Sequence, residues 1–201
     1  MSNAPHERAD NIRWHPREIV RTDREQITKG PGATVWLTGF SGSGKSTIAA
    51  RCEALLVASG RAAYTLDGDN IRHGLNADLG FSPEDRTENV RRVGEVARLM
   101  ADAGLTVFAP LISPYTEGRN NIRSQHADAF IPFYEVYVAT PIEVCEERDT
   151  KGLYARARAG ELTEFTGINA PYEVPTAPDL AVDTSTMTID EAARAVLALI
   201  D

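Results

Sequence analysis

Two cysteines in 201 residues leave little room for a disulfide framework. Cys52 and Cys145 fall inside predicted helices, far apart, with no metal-type spacing, which fits two buried thiols in a reducing cytosol. No apolar run approaches the ~18 to 20 residues of a membrane span. The start, MSNAPHERADNIRWHPREIVRTDREQ, is polar and charged and has no apolar signal-peptide core. Positive charge is also in deficit: 21 Lys and Arg stand against 29 Asp and Glu, a net charge of −8. Bulk attraction to nucleic acid or to a membrane surface is therefore not expected, and a cytoplasmic protein with small-molecule partners is. The arginines are unevenly placed, however, with Arg86, Arg91, Arg92 and Arg98 in one stretch and Arg148, Lys151, Arg156 and Arg158 in another.

What is present is a regular alternation. The runs TVWLT (34–38), AAYTL (62–66), LTVFA (105–109), FYEVYVA (133–139) and LAVD (180–183) read as buried strands. Helical stretches lie between them. Ser82-Pro83, Ser113-Pro114 and Thr140-Pro141 each set an N-cap hydroxyl before a proline suited to a first helical position. Thr140 with Glu143, and Thr188 with Glu191, have capping-box spacing. The segment from Pro83 to Ala103 carries Val90, Val93, Val96, Ala97 and Met100 on one face, and Gly104 ends it. This pattern predicts an α/β fold, an open parallel sheet with helices on both faces; GFSGSGKS after the first strand makes it one of the P-loop NTPase type. Residues 1–30 read as an N-terminal extension and 31–201 as one domain. Within it a lid spans about 148–178, because the stretch from Lys151 to Pro178, broken by glycines and prolines, reads as a mobile excursion.

GFSGSGKS, Gly39 to Ser46, matches G-x-x-x-x-G-K-[ST] in full and sits between a predicted strand and the helix KSTIAARCEALLVAS. Gly39, Gly42 and Gly44, with Phe40, Ser41 and Ser43, let the backbone wrap a phosphate, and the helix opening at Lys45-Ser46-Thr47 adds its positive dipole end. Lys45 is suited to the β- and γ-phosphates of ATP, and the Ser46 hydroxyl to Mg²⁺. A GTPase switch would need N-K-x-D, yet no asparagine here precedes a lysine. The single D-x-x-G string, Asp149 to Gly152, follows the fourth strand's helix, where a γ-phosphate sensor would be misplaced. A small-molecule kinase is the natural class.

The acceptor side follows the second strand, in LDGDNIRHGLNADLGFSPEDRTENVRR. Asp67 and Asp69 leave that strand at its carboxyl end, where open α/β sheets bind ligands. A carboxylate there can take a proton from an attacking hydroxyl or hold Mg²⁺ through water; for Asp69 the alternative is an N-cap for a short helix at Asn70 to Gly74. Arg72, Arg86 and Asn89 can fork onto an anionic acceptor, and Phe81 can offer its face to a base.

Those stretches, with FAPLISPYTEGRN, RDTKGLYARARAGE and FTGINAPYEVP, resemble the adenylylsulfate kinase (APS kinase) family from about Trp14 to the C-terminus. The resemblance implies transfer of phosphate from ATP to the 3′-hydroxyl of adenosine 5′-phosphosulfate (APS). It implies Asp69 as acid/base or metal-organising carboxylate, and Arg72, Arg86 and Asn89 on the phosphosulfate. Phe81 and Phe165 would stack on the acceptor adenine, Ile112 and Ser113 would line its site, Lys151 and Leu153 would belong to the lid, and Arg148 would lie near the ATP adenine. Ser113 matches a serine that takes up phosphate in some members; otherwise it is the N-cap of the helix opened by Pro114. Departures from the family pattern fall in the lid: Thr150 for proline, Ala155 for a second lysine, and Asn169-Ala170 for two acidic residues. The third strand ends without a Walker-type aspartate, which leaves Ser46 and Asp69 to organise Mg²⁺. A homodimer and an association or fusion with an ATP sulfurylase are family expectations. The alternatives are a P-loop kinase for another small acceptor, such as a nucleoside monophosphate or sugar acid, and an inactive ATP-binding partner of a sulfurylase.

Overall fold

The computed structural model describes residues 12, 13 and 15–201; residues 1–11 of the expected extension, and Trp14, lie outside the described residues. The order is α1 (Arg21–Thr28), β1 (Ala33–Thr38), α2 (Lys45–Ala58), β2 (Ala63–Thr65), a 3-10 turn (Asn70–His73), α3 (Pro83–Asp102), β3 (Thr106–Pro110), α4 (Thr116–Asp128), β4 (Phe133–Val138), α5 (Ile142–Arg148), α6 (Leu153–Arg158), β5 (Leu180–Val182) and α7 (Ile189–Leu197). All five expected strands form, and they pair in parallel in the order β2-β3-β1-β4-β5.

The central strand explains the two helical layers. Every residue of β1 is buried, and successive side chains go to opposite faces of a sheet. Val35 and Leu37 join Ile48, Cys52 and Leu56 of α2 and Ala193 and Val196 of α7 on one face. Trp36 joins Val90, Val93 and Ala97 of α3 and Ile122 of α4 on the other. The expected face of α3 is thus the buried one, with Val96 and Met100 at its margin. His126 on α4, buried in this interior, bonds the Ile122 carbonyl at 2.8 Å and the Thr34 hydroxyl at 2.9 Å, and burial lowers its pKa. Cys52 and Cys145 are free and buried, and burial pushes the Cys52 thiol up to about 12. Before the sheet, α1 is tied to the body by Arg24, which donates to the Asp102 carboxylate at 3.0 Å, and by Glu25, which accepts the Gly32 N–H at 3.0 Å.

Two of the expected caps form. Ser82 accepts the Asp85 N–H at 3.1 Å with Pro83 at the first helical position, and Thr188 and Glu191 make a full capping box. The other two do not. Ser113 does not cap α4, which begins at Thr116 with Tyr115 in the cap position. Its hydroxyl instead accepts the Trp36 indole N–H at 3.0 Å inside the core. Thr140 is not the cap of α5, whose cap position is Pro141; its hydroxyl donates to the Ser43 carbonyl at 3.1 Å. In both cases a long-range partner takes the hydroxyl, and the proline shapes the loop before the helix. The stretch after α5 is not an unbroken coil either. It folds into α6, where Asp149 accepts the N–H groups of Tyr154 and Ala155 at 3.1 and 3.0 Å. Asp149 therefore serves that first turn. Among the described residues, no helix is long and apolar enough to cross a membrane.

Candidate active site

At the carboxyl edge of the sheet a cavity of about 550 Å³ opens between the loops after β1, β2, β3 and α5. Its first wall is the phosphate loop. Gly39 has φ +148°, and a Cβ there would meet the Val138 carbonyl oxygen at 2.6 Å; Gly44, at φ +101°, opens α2 and would drive a Cβ to 3.0 Å from Thr184. The loop can be built only with glycine at these points. Ser41, Gly42, Gly44, Lys45, Ser46 and Thr47 line the cavity. Gly39, Phe40 and Ser43 lie behind them as support. Lys45 donates to the Phe40 carbonyl at 2.6 Å and to the Ser43 hydroxyl at 3.4 Å. Burial pushes the Lys45 ammonium down to about 8, against the pull of the Asp69 and Asp67 carboxylates. Ser46 and Thr47 at the start of α2 are exposed.

The second wall follows β2. The Asp67 carboxylate accepts the backbone N–H groups of Asp69 and Asn70 at 2.9 and 3.3 Å. It clasps the turn and so presents Asp69, whose own side chain makes no cap bond. The N-cap alternative for Asp69 therefore falls, and the cap function belongs to Asp67. The Asp69 side chain is 68% exposed and pairs with Lys151. The Asp69 carboxylate offsets part of the lowering that burial causes at both Lys45 and Arg72, so its charge is felt from the phosphate loop and from the wall that holds Arg72 alike.

That wall holds Arg72, Phe81, Arg86, Asn89, Ile112 and Ser113. The Arg72 guanidinium lies 4.4 Å from the centre of the Phe81 ring, and Phe81 is 62% exposed, so it is not a core residue. Burial lowers the pKa of Arg72 and of Arg86. Arg86 donates to the Phe81 carbonyl at 2.7 Å, to the Thr166 hydroxyl at 2.6 Å and to the Glu164 carbonyl. Asn89 is held by buried Asn76, whose amide donates to the Asn89 carbonyl oxygen at 3.0 Å. With Asn76 giving the donor, the Asn89 amide nitrogen is free of that bond.

Arg148, Thr150 and Lys151, at the end of α5 and in the turn before α6, close the cavity on its far side. Arg148 is fixed to Thr184, at 2.7 Å through its hydroxyl and 2.9 Å through its carbonyl. Leu153 and Phe165 do not line the cavity. Leu153 starts α6, and Phe165 packs edge-on against Tyr154 with ring centres 4.9 Å apart. Tyr154 in turn donates to the Ser41 carbonyl at 2.9 Å, joining α6 to the phosphate loop. The basic clusters divide accordingly: Arg86, Arg148 and Lys151 reach the cavity, whereas Arg91, Arg92, Arg98, Arg156 and Arg158 pair with neighbouring acids. Sequence reasoning missed Thr184 and Asn76. The position of Thr184 just past the last strand, on the ligand-binding edge, was the available signal; Asn76 left none.

A parallel sheet with a phosphate loop after its central strand, a carboxylate after its second, and a separate cationic wall defines a P-loop kinase of the small-molecule class. The protein-family model described as adenylylsulphate kinase matches residues 31–183, and the chain belongs to that family. It is 49% identical to the probable adenylyl-sulfate kinase of Halalkalibacterium halodurans over 197 residues, covering 98% of this chain and 94% of the relative. It is 50% identical to the Saccharomyces cerevisiae adenylyl-sulfate kinase over 188 residues, 94% of this chain and 93% of that one. Its fold matches the solved Mycobacterium tuberculosis APS kinase in complex with AMPPNP and APS, with a TM-score of 0.82 and 56% identity over 85% of this chain and 98% of that chain.

Proposed function

We propose that the protein transfers the γ-phosphoryl group of ATP to the 3′-hydroxyl of adenosine 5′-phosphosulfate, giving the 3′-phosphorylated nucleotide and ADP. The observation that carries this reading is the single cavity in which a phosphate loop and a wall of Arg72, Arg86 and Asn89 face a common carboxylate, Asp69. In this reading the glycine-built loop and Lys45 hold the ATP phosphates, and Arg148 and Thr184 flank the nucleotide. Arg72, Arg86 and Asn89 bind the phosphosulfate and Phe81 stacks on its adenine, while Asp69 accepts the proton of the attacking hydroxyl. The Ser46 hydroxyl and the Asp69 carboxylate are hard oxygen donors on the same cavity, which fits Mg²⁺ bound directly by the first and through water by the second. That ion would neutralise charge on the β- and γ-phosphates. Lys151 and Leu153 belong to a lid of about 148–178 on a kinase domain of 31–201. Family kinship extends the reading to a homodimer, to association with an ATP sulfurylase and, since ATP is the donor, to the cytoplasm.

Arg86→Ala tests the assignment of the two ends. It should raise KM for APS by about tenfold or more, since a charge-assisted contact is lost, with KM for ATP nearly unchanged. Equal damage to both constants, or equal use of AMP as acceptor, would overturn it.

A further inference from the structure

Arg119, on α4, lines none of the cavity, yet its side chain is only 1% exposed and all three of its guanidinium nitrogens donate hydrogen bonds. It donates at 2.7 Å to the Glu135 carboxylate on β4, at 2.7 Å to the Ser113 carbonyl, and at 2.7 Å to the Glu173 carbonyl, with a further bond of 3.2 Å to the Thr116 hydroxyl. Three stretches distant in sequence thus meet on one planar cation, a geometry that a lysine ammonium does not reproduce.

Two of those stretches matter to the chemistry. Ser113, in the acceptor wall, has φ +39°, a left-handed conformation that a residue with a side chain holds only when its surroundings dictate it. The surroundings here are explicit. Trp36 donates to its hydroxyl, Arg119 to its carbonyl, and Thr38 donates at 2.7 Å to the preceding Ile112 carbonyl. A trans peptide points its N–H opposite to its C=O. Pinning the Ile112 carbonyl on Thr38 therefore turns the Ser113 N–H away from the sheet. The Glu173 stretch is where the chain returns from the lid. The Glu173 N–H donates to the Pro114 carbonyl at 2.8 Å, and its carboxylate accepts the Thr116 N–H at 2.7 Å. Beside it, the Tyr172 hydroxyl bonds Thr38 at 2.9 Å, and its ring lies 4.8 Å from that of Phe40 in the phosphate loop.

We propose that Arg119 is a positioning residue for phosphoryl transfer, holding Ser113 in its left-handed form beside Ile112 and fastening this wall to the Tyr172–Glu173 end of the lid. Acceptor binding and lid placement then depend on one buried cation. The proposal rests on the reading of the cavity as an APS site, and Glu135 is its counter-charge, without which a buried guanidinium would be unstable.

The test compares Arg119→Met/Glu135→Gln, which removes both charges together, with Arg119→Lys, which keeps a cation beside Glu135 but loses the fork. Steady-state kinetics with ATP and APS are read alongside thermal melting. In the folded double variant KM for APS should rise about tenfold or more while KM for ATP stays within about twofold. Arg119→Lys should show the same split to a smaller degree, and it decides the matter alone if the double variant does not fold. A purely structural role predicts a lower melting temperature with unchanged constants. Unaltered KM for APS in the folded variants, with an active wild type, overturns the positioning role alone. A wild type without APS-dependent turnover overturns the reading of the site and this proposal with it.

Discussion

Lys45→Met separates what burying the phosphate-loop lysine costs from what the lysine does. Lys45 is 8% exposed, and burial takes its pKa from 10.5 to about 8. A gap of about 2.5 units corresponds to about 3 kcal/mol of stability withheld from the folded state at neutral pH. That figure is an upper bound on the gain from substitution, because methionine cannot replace the bonds to Phe40 and Ser43. The folded pKa lies below the unfolded one, so the unfolded chain binds more protons between pH values of about 8 and 10.5. Wild-type stability should therefore rise through that window, relative to the variant. Lys45→Met should melt several degrees higher than wild type near pH 7 and lose the advantage by about pH 10.5. Its turnover should fall by orders of magnitude, because the developing phosphate charge loses a cation. Phosphate anions also pull the ammonium pKa back up, so ATP binding to wild type should take up about half a proton at pH 8. Titration calorimetry in buffers of different ionisation enthalpy reads that uptake. Parallel stability–pH curves for the two proteins, or the same proton uptake by the variant, would mean that Lys45 is not the group whose pKa burial depresses.

Asp69→Asn should reduce turnover by about 10²- to 10⁴-fold as the proton acceptor is lost; melting should barely move, since the side chain is 68% exposed with Lys151 as its ion-pair partner. Turnover within about threefold of wild type would remove Asp69 from the chemistry. Ser113→Ala strips the buried Trp36 indole N–H of its acceptor, which should cost about 1–3 kcal/mol in denaturant unfolding. It should keep a substantial fraction of turnover, because in-line transfer needs no covalent stage. Complete loss of activity in the folded variant, with a kinetically competent phosphoserine on wild type, would establish the covalent route instead.

The strands and the phosphate loop were legible in the sequence because their causes are local. A run such as TVWLT is apolar on both faces, and a glycine-lysine-serine loop needs its own backbone to turn. Ser82 and Thr188 were legible as caps for the same reason: the acceptor and the donor lie within three residues. Ser113-Pro114 and Thr140-Pro141 carry the same local pattern, but Trp36 and Ser43 compete for their hydroxyls from β1 and the phosphate loop. No local pattern reports such a competitor. The buried amide of Asn76 and the forked contacts of Arg119 were equally silent, since each gains its role from a partner that only folding brings near. Nothing local in FTGINAPYEVP announces that the Phe165 ring packs edge-on against Tyr154 either.

If one cavity joins an ATP phosphate loop to an APS-binding wall, ADP release must depend on APS, and it is measured with and without APS. Little ADP should form with MgATP alone, and on adding APS it should appear one for one with 3′-phosphorylated product. AMP and sugar acids should not substitute. ADP release that is indifferent to APS, or a folded protein that binds ATP and turns nothing over, would contradict the account.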